Sequence, residues 1–294
     1  MYKQLLNLSE IFFRNQGKTI HYLNNNEWKM AVVFGEVTVS LGAIKVVWNL
    51  CYIYNLFYST FLANVPPQTP FINLNERPDV AQFLNDRRNE IRSFFDSIKN
   101  GTPLKAVDDS IHMENQKFVA RNSFWIANKI ASYALLFLLL HEYSHTVYEK
   151  KDVDDGSLQS TESATIDEEK WCDDNAYQLY RLNYLDMLQN GELLCAKIGC
   201  QVALLVLNAI SIDLKNFGRE HPKSYKRVVD ILSNVDKDDD DFWCMLAGIL
   251  IFEQHNIGIF EKHDKIYDDF KELTYELVTR LEEYDKKYVD KHSN

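Results

Sequence analysis

Two histidines one helical turn apart, with a glutamate between them, stand in the stretch HEYSH: His141, Glu142, Tyr143, Ser144 and His145. On a helix, positions i and i+4 share a face, so His141 and His145 present two imidazoles side by side, as a tetrahedral metal site needs. Glu142 sits one step round, placed to take a proton from water rather than to ligate. Zn2+ is the expected ion, because it lowers the pKa of a bound water toward about 7 and leaves Glu142 the role of catalytic base. An apolar run, Ala131 to Leu140, leads directly into these polar residues. It reads as a core helix that supplies the dry, shaped cavity such a site requires.

A third ligand is expected downstream in IDEEKWCDDNAYQLY. Glu169 and Asp173 are spaced i, i+4 on one helical face, and Ala176 continues that face with a small residue. In this reading Glu169 binds the metal, and Asp173 accepts the outer N–H of a ligating histidine. Glu168 and Glu162 compete for the ligand role, and the bland alternative is an acidic, solvated helix start. A third element is REHPKSYKRVVDIL, from Arg219 to Leu232. Pro222 suits a first helical turn, and His221, Arg227 or a tyrosine is a candidate donor to the oxyanion of a tetrahedral intermediate.

These elements must be held by a chain of 294 residues, 46% hydrophobic, with 10 glycines and 6 prolines. That composition predicts a helix-rich globule with a substantial core. Helices are expected over Pro78 to Gly101, Phe118 to Lys150 with a break near Arg121, Glu168 to Gln189, Leu193 to Phe217, Pro222 to Val235, Asp241 to Asn256 and Phe260 to His292. Residues Thr19 to Ser40 alternate in places and predict two or three strands. The fold class is therefore mainly α with a small mixed α/β N-terminal portion. The expected division is 1–100 for that portion and 101–294 for a helical zinc metallopeptidase domain with a zincin-like active-site helix pair.

Several classes are disfavoured. A net charge of −11 argues against general nucleic-acid binding. There is no P-loop, GxGxxG or GxSxG, and the acidic run Asp236 to Asp241 lacks the Gly and Glu spacing of an EF-hand. KDVDDG fails the same test and reads as a surface loop. Five scattered cysteines without a CxxC pair suit a reducing, cytoplasmic compartment. No secretory signal is read at the N-terminus. Val46 to Val65 carries no charge, but its Asn, Ser and Thr residues favour a buried helix or strand–helix pair over a membrane span.

The order HExxH, ExxxDxxA, HPxxxxR, over Phe118 to Leu232, is similar to zinc peptidases of the Glu-ligand group. With the length, the helical layout and the N-terminal aromatic run VVWNLCYIYNLFY, it resembles the Lit-type peptidases of phage exclusion. The resemblance implies His141, His145 and Glu169 as zinc ligands, Glu142 as catalytic base and a cytoplasmic endopeptidase with a protein substrate. It also implies elongation factor Tu, or another translation component, as target. Cys172 departs from the pattern, where such motifs often have Ala. The rival expectation is a non-catalytic zinc-binding sensor or regulatory protein; the intact Glu142 speaks against it, because a purely structural site has no need of that carboxylate. The oligomeric state is not legible.

Overall fold

The computed structural model describes residues 9–10, 12–33, 36–62, 78–100, 102, 118–155, 162–213, 227–228, 239–259 and 267–292. Helical residues 9–10 and 12–15 precede three short strands: β1 (Ile20–Leu23), β2 (Met30–Val33) and β3 (Glu36–Ser40). Their order is β1-β3-β2, with β1 parallel and β2 antiparallel to the central β3. Seven helices follow among the described residues: α1 (Leu41–Phe57), α2 (Pro78–Lys99), α3 (Phe118–Asp155), α4 (Glu162–Asn183), α5 (Asn190–Asp213), α6 (Asp240–Ile257) and α7 (Phe270–His292). The chain is mainly helical with a small mixed sheet near its N-terminus, as its composition and patterning predict.

Ser40 turns β3 into α1 without a linker. Its backbone is extended at φ −90° and ψ 155°, and its side chain accepts from the Ala43 amide at 3.1 Å. That hydroxyl also donates to the Glu27 carbonyl at 2.6 Å, which ties the helix start to the approach of β2. The uncharged stretch from Val46 thus forms most of α1 and the π-helical turn Tyr58–Leu62; its remainder, 63–65, lies outside the described residues. The buried-helix expectation holds for this part, since most of α1 is buried.

Helix α3 is the axis of the molecule. It packs against α1, α4 and α5 and beneath β2 and β3. Residues Ala131–Leu140 are buried on every side, which explains an apolar run without an amphipathic stripe: a helix surrounded on all faces has no polar face to keep. It runs unbroken past Arg121 and continues through Lys151–Asp155, where a surface loop is expected from sequence. Gly199 sets the spacing of α3 and α5. A Cβ there would lie 2.8 Å from Tyr133 Cβ and 2.9 Å from the Ala134 amide nitrogen, so only glycine lets the two backbones come this close. The core cluster draws on residues both before and after residue 100, α1 and α3 included.

Among the described residues, one helix, Phe124–Tyr148 within α3, is long and apolar enough to cross a membrane, and 72% of its most apolar window is buried within the protein. Helix α6 is capped at its start by Asp239, whose carboxylate accepts from the Phe242 amide, and ends at Gly258 with φ 77°. Asp239 thus gives part of the acidic run the helix-start role expected of it.

Candidate metal centre

Helix α4 lies along α3 so that two i, i+4 pairs face two histidines. His141 is 3% exposed, and its Nδ1 lies 3.0 Å from Asp173 Oδ1. Its Nε2 is 3.3 Å from Glu169 Oε2 and 3.2 Å from His145 Nε2. His145 Nε2 in turn is 3.5 Å from Glu169 Oε1. Ala176, one turn beyond Asp173, is fully buried, and its small side chain leaves room for this approach.

These edges fit a metal. A tetrahedral cation with bonds of about 2.0–2.2 Å holds its ligand atoms roughly 3.3–3.6 Å apart. Each of the three ligand-to-ligand distances falls at or near that spacing. Two imidazole nitrogens facing each other at 3.2 Å also need something between them, a shared proton or a cation. Buried His141 and Glu169 with half-buried His145 could therefore hold a metal ion.

The surroundings hold the ligands in register. Asp173 Oδ1 lies 3.0 Å from His141 Nδ1 and favours a protonated ring in the metal-free site; with Nε2 ligating an ion, the remaining proton sits on Nδ1 toward Asp173, because a carboxylate only accepts. His145 is oriented in the same way by Glu168, whose Oε1 is 2.8 Å from Nδ1. Glu168, a competing ligand by sequence, thus stands on the outer side of His145. Glu162, the other competitor, opens α4.

Arg227 completes the cluster. Its Nε donates to Asp173 Oδ2 at 2.5 Å and its Nη2 to Asp173 Oδ1 at 2.6 Å, and Nη2 lies 3.7 Å from Glu169 Oε2. Two donor groups of the guanidinium are committed to Asp173, so Arg227 acts here as a buried clamp, while its Nη1 has no hydrogen-bond partner among the described residues. His221 lies outside the described residues.

Electrostatics favour positive charge at this spot. Burial opposes a charged His141 ring, but the hydrogen bonds and charges of Asp173 and Glu169 outweigh it and raise its pKa to about 9. Burial also works against an ionised Asp173, yet Arg227 and His141 hold it below the usual range. Arg227 stays charged against its own burial through Asp173, Glu169 and Glu142. The fully buried Cys172 thiol is pushed far up, first by burial and then by Glu169, Glu168, Asp173 and Glu142. Glu142 is half-buried on the same turn of α3 and acts electrostatically on both Arg227 and Cys172, which places it at the edge of the cluster.

Sequence reasoning gave Glu168 and Arg227 other roles. The i, i+4 spacing of Glu168 with Cys172 duplicates that of Glu169 with Asp173, and this repeat is the signal that a second histidine has its own partner. No such local signal exists for Arg227, which reaches Asp173 from a distant part of the chain.

No curated protein and no solved structure matches the chain. The sequence profile of one family, Peptidase U49, matches residues 37–247, which span β3, both site helices and Arg227. With a match over most of its length, this chain belongs to the peptidase U49 family, whose members are protein-cleaving hydrolases.

Proposed function

We propose that the protein is a zinc-dependent endopeptidase whose ion is held by His141, His145 and Glu169. The observation that carries this reading is the convergence of those three side chains beside Glu142, in a chain of a peptidase family. Zinc, when bound there, supplies Lewis-acid polarisation of the scissile carbonyl and makes water acidic enough to be deprotonated near neutral pH. Glu142 takes the water proton on a carboxylate oxygen and returns it to the nitrogen of the leaving amine. Asp173 and Glu168 hold the Nδ1–H of His141 and His145, so neither ring can rotate its Nε2 away. Arg227 fixes Asp173 from behind. The buried α3 segment keeps bulk water from the far side of the site.

The reading extends to a cytoplasmic setting, which five free, buried cysteines support. Its substrate is a protein. The motif order and layout shared with Lit-type peptidases support phage exclusion as the role and elongation factor Tu, or another translation component, as the target.

Glu142→Gln tests the mechanism. Glutamine is nearly isosteric and Glu142 is not a ligand, so bound zinc and thermal stability should be unchanged. Cleavage of a bacterial lysate, read by mapping new N-termini, should fall by about 10²- to 10⁴-fold, the usual worth of general-base help. Full biological activity in this variant would exclude the peptidase mechanism and leave the zinc-binding regulator as the reading.

A further inference from the structure

A second group of ligating side chains lies against the first. His145, Glu168 and Cys172 each offer one atom, and these atoms lie within 4.8 Å of one another. The arrangement follows from helix geometry. Residues 168 and 172 form one i, i+4 pair on α4, and residues 169 and 173 form the next, rotated by one residue. The second pair serves His141. The first faces His145 on the side opposite the three-ligand cluster, where Nδ1 is 2.8 Å from Glu168 Oε1.

The two pairs differ in chemistry. Asp173 is locked by Arg227 and serves only to orient. In its place the neighbouring pair carries a thiol, a soft ligand with little value as a hydrogen-bond acceptor for a ring N–H. Cys172 is fully buried behind Glu168, while the side chain of Glu168 remains 29% exposed and gives an ion a way in from solvent. Charge favours a cation here, although the free thiol stays protonated. Burial and then Glu169, Glu168, Asp173 and Glu142 hold the Cys172 proton in place, so an ion must displace it, and the described guanidinium beside these four carboxylates is Arg227. One divalent ion at the first site still leaves this cluster negative.

We propose that His145 Nδ1, Glu168 and Cys172 form a second, thiophilic cation site, for a soft divalent ion such as Zn2+ or Cd2+, with His145 shared between the two sites. Binding breaks the Cys172 S–H bond and removes the Nδ1 proton of His145; both protons leave to solvent as the new bonds form. Glu168 then changes from orienting His145 to ligating beside it. The inference goes beyond the peptidase reading and touches it through His145 and through Glu168, which orients that ring in the peptidase reading.

Titration of the metal-free full chain with Cd2+ tests this, following bound equivalents and the ultraviolet thiolate-to-cadmium charge-transfer band, with circular dichroism to confirm folding. The wild type should bind two equivalents, one of them carrying the band. Cys172→Ala should bind one and show no band, His141→Ala should lose the first site and keep the band, and His145→Ala should lose both. Should Cys172→Ala not fold, Glu168→Gln replaces it and should weaken the band-carrying equivalent about 10-fold or more. A wild type without the band, a band that survives Cys172→Ala, or an affinity unmoved by Glu168→Gln would overturn the proposal. A wild type with one equivalent that carries the band would keep this site and reject the three-ligand reading of the other.

Discussion

The core buries ionisable groups in two places, and they behave oppositely. Between α3 and α4, His141, Glu169, Asp173 and Arg227 are each at most 5% exposed, and every charge has a counter-charge within reach. Between α1 and α6, Glu253 is equally buried, but its described partner is the neutral Tyr54 hydroxyl, which donates to Glu253 Oε1. Burial therefore raises the Glu253 pKa to about 7, and the Tyr54 hydrogen bond only partly offsets it. In the first place the fold keeps ions as ions; in the second it presses an acid toward neutrality. Burial alone does not mark a functional site. Convergent ligand atoms with balanced partners do.

Arg227→Met should break that contrast most severely. It strips the clamp and leaves Asp173 and Glu169 buried with less counter-charge, a loss of about 3–5 kcal/mol for a broken buried pair. Chemical denaturation of the metal-free protein measures it. A variant within 1 kcal/mol of wild type would mean that the cluster is not held by charge balance.

Glu253→Gln should sharpen the contrast. The folded pKa lies above the unfolded value, so the folded state holds its proton longer and stability is lost as pH rises from about 4.5 to about 7. The amide can still accept from Tyr54. Relative to wild type, the variant should be nearly neutral at pH 4.5 and more stable by roughly 3 kcal/mol at pH 8, at about 1.4 kcal/mol per pKa unit. Thermal melts across this range check it, and equal pH slopes for both proteins would contradict it.

Asp173→Asn breaks the same buried pair and is read in metal affinity, where the expected change is the smallest of the three. An amide can still accept from His141 but no longer balances Arg227 or the ring. Metal affinity should fall about 10- to 100-fold, the usual cost of losing an outer partner of a ligating histidine. Competition with a chelator measures it, and an unchanged affinity would remove Asp173 from the site.

Much of this was legible along the chain because helix periodicity is local. HExxH and the i, i+4 pair at Glu169 and Asp173 name a face without any knowledge of the fold, and the solid apolar run before His141 already implies burial on all sides. Boundaries were less legible. Helix α4 begins six residues before the expected Glu168, and α3 runs through Asp155, since acidic ends read equally well as caps or loops.

What the sequence determined by itself is which residues can share a helical face, because that follows from 3.6 residues per turn. The tertiary structure alone decided which carboxylate meets which ring nitrogen. Glu168 and Glu169 differ by one position, about 100° of rotation, and only the packing of α4 on α3 turns Glu169 toward both Nε2 atoms and Glu168 toward Nδ1 of His145. Arg227 reaches Asp173 across 54 positions of sequence, a distance over which no local periodicity acts and only the closed fold brings charge to charge.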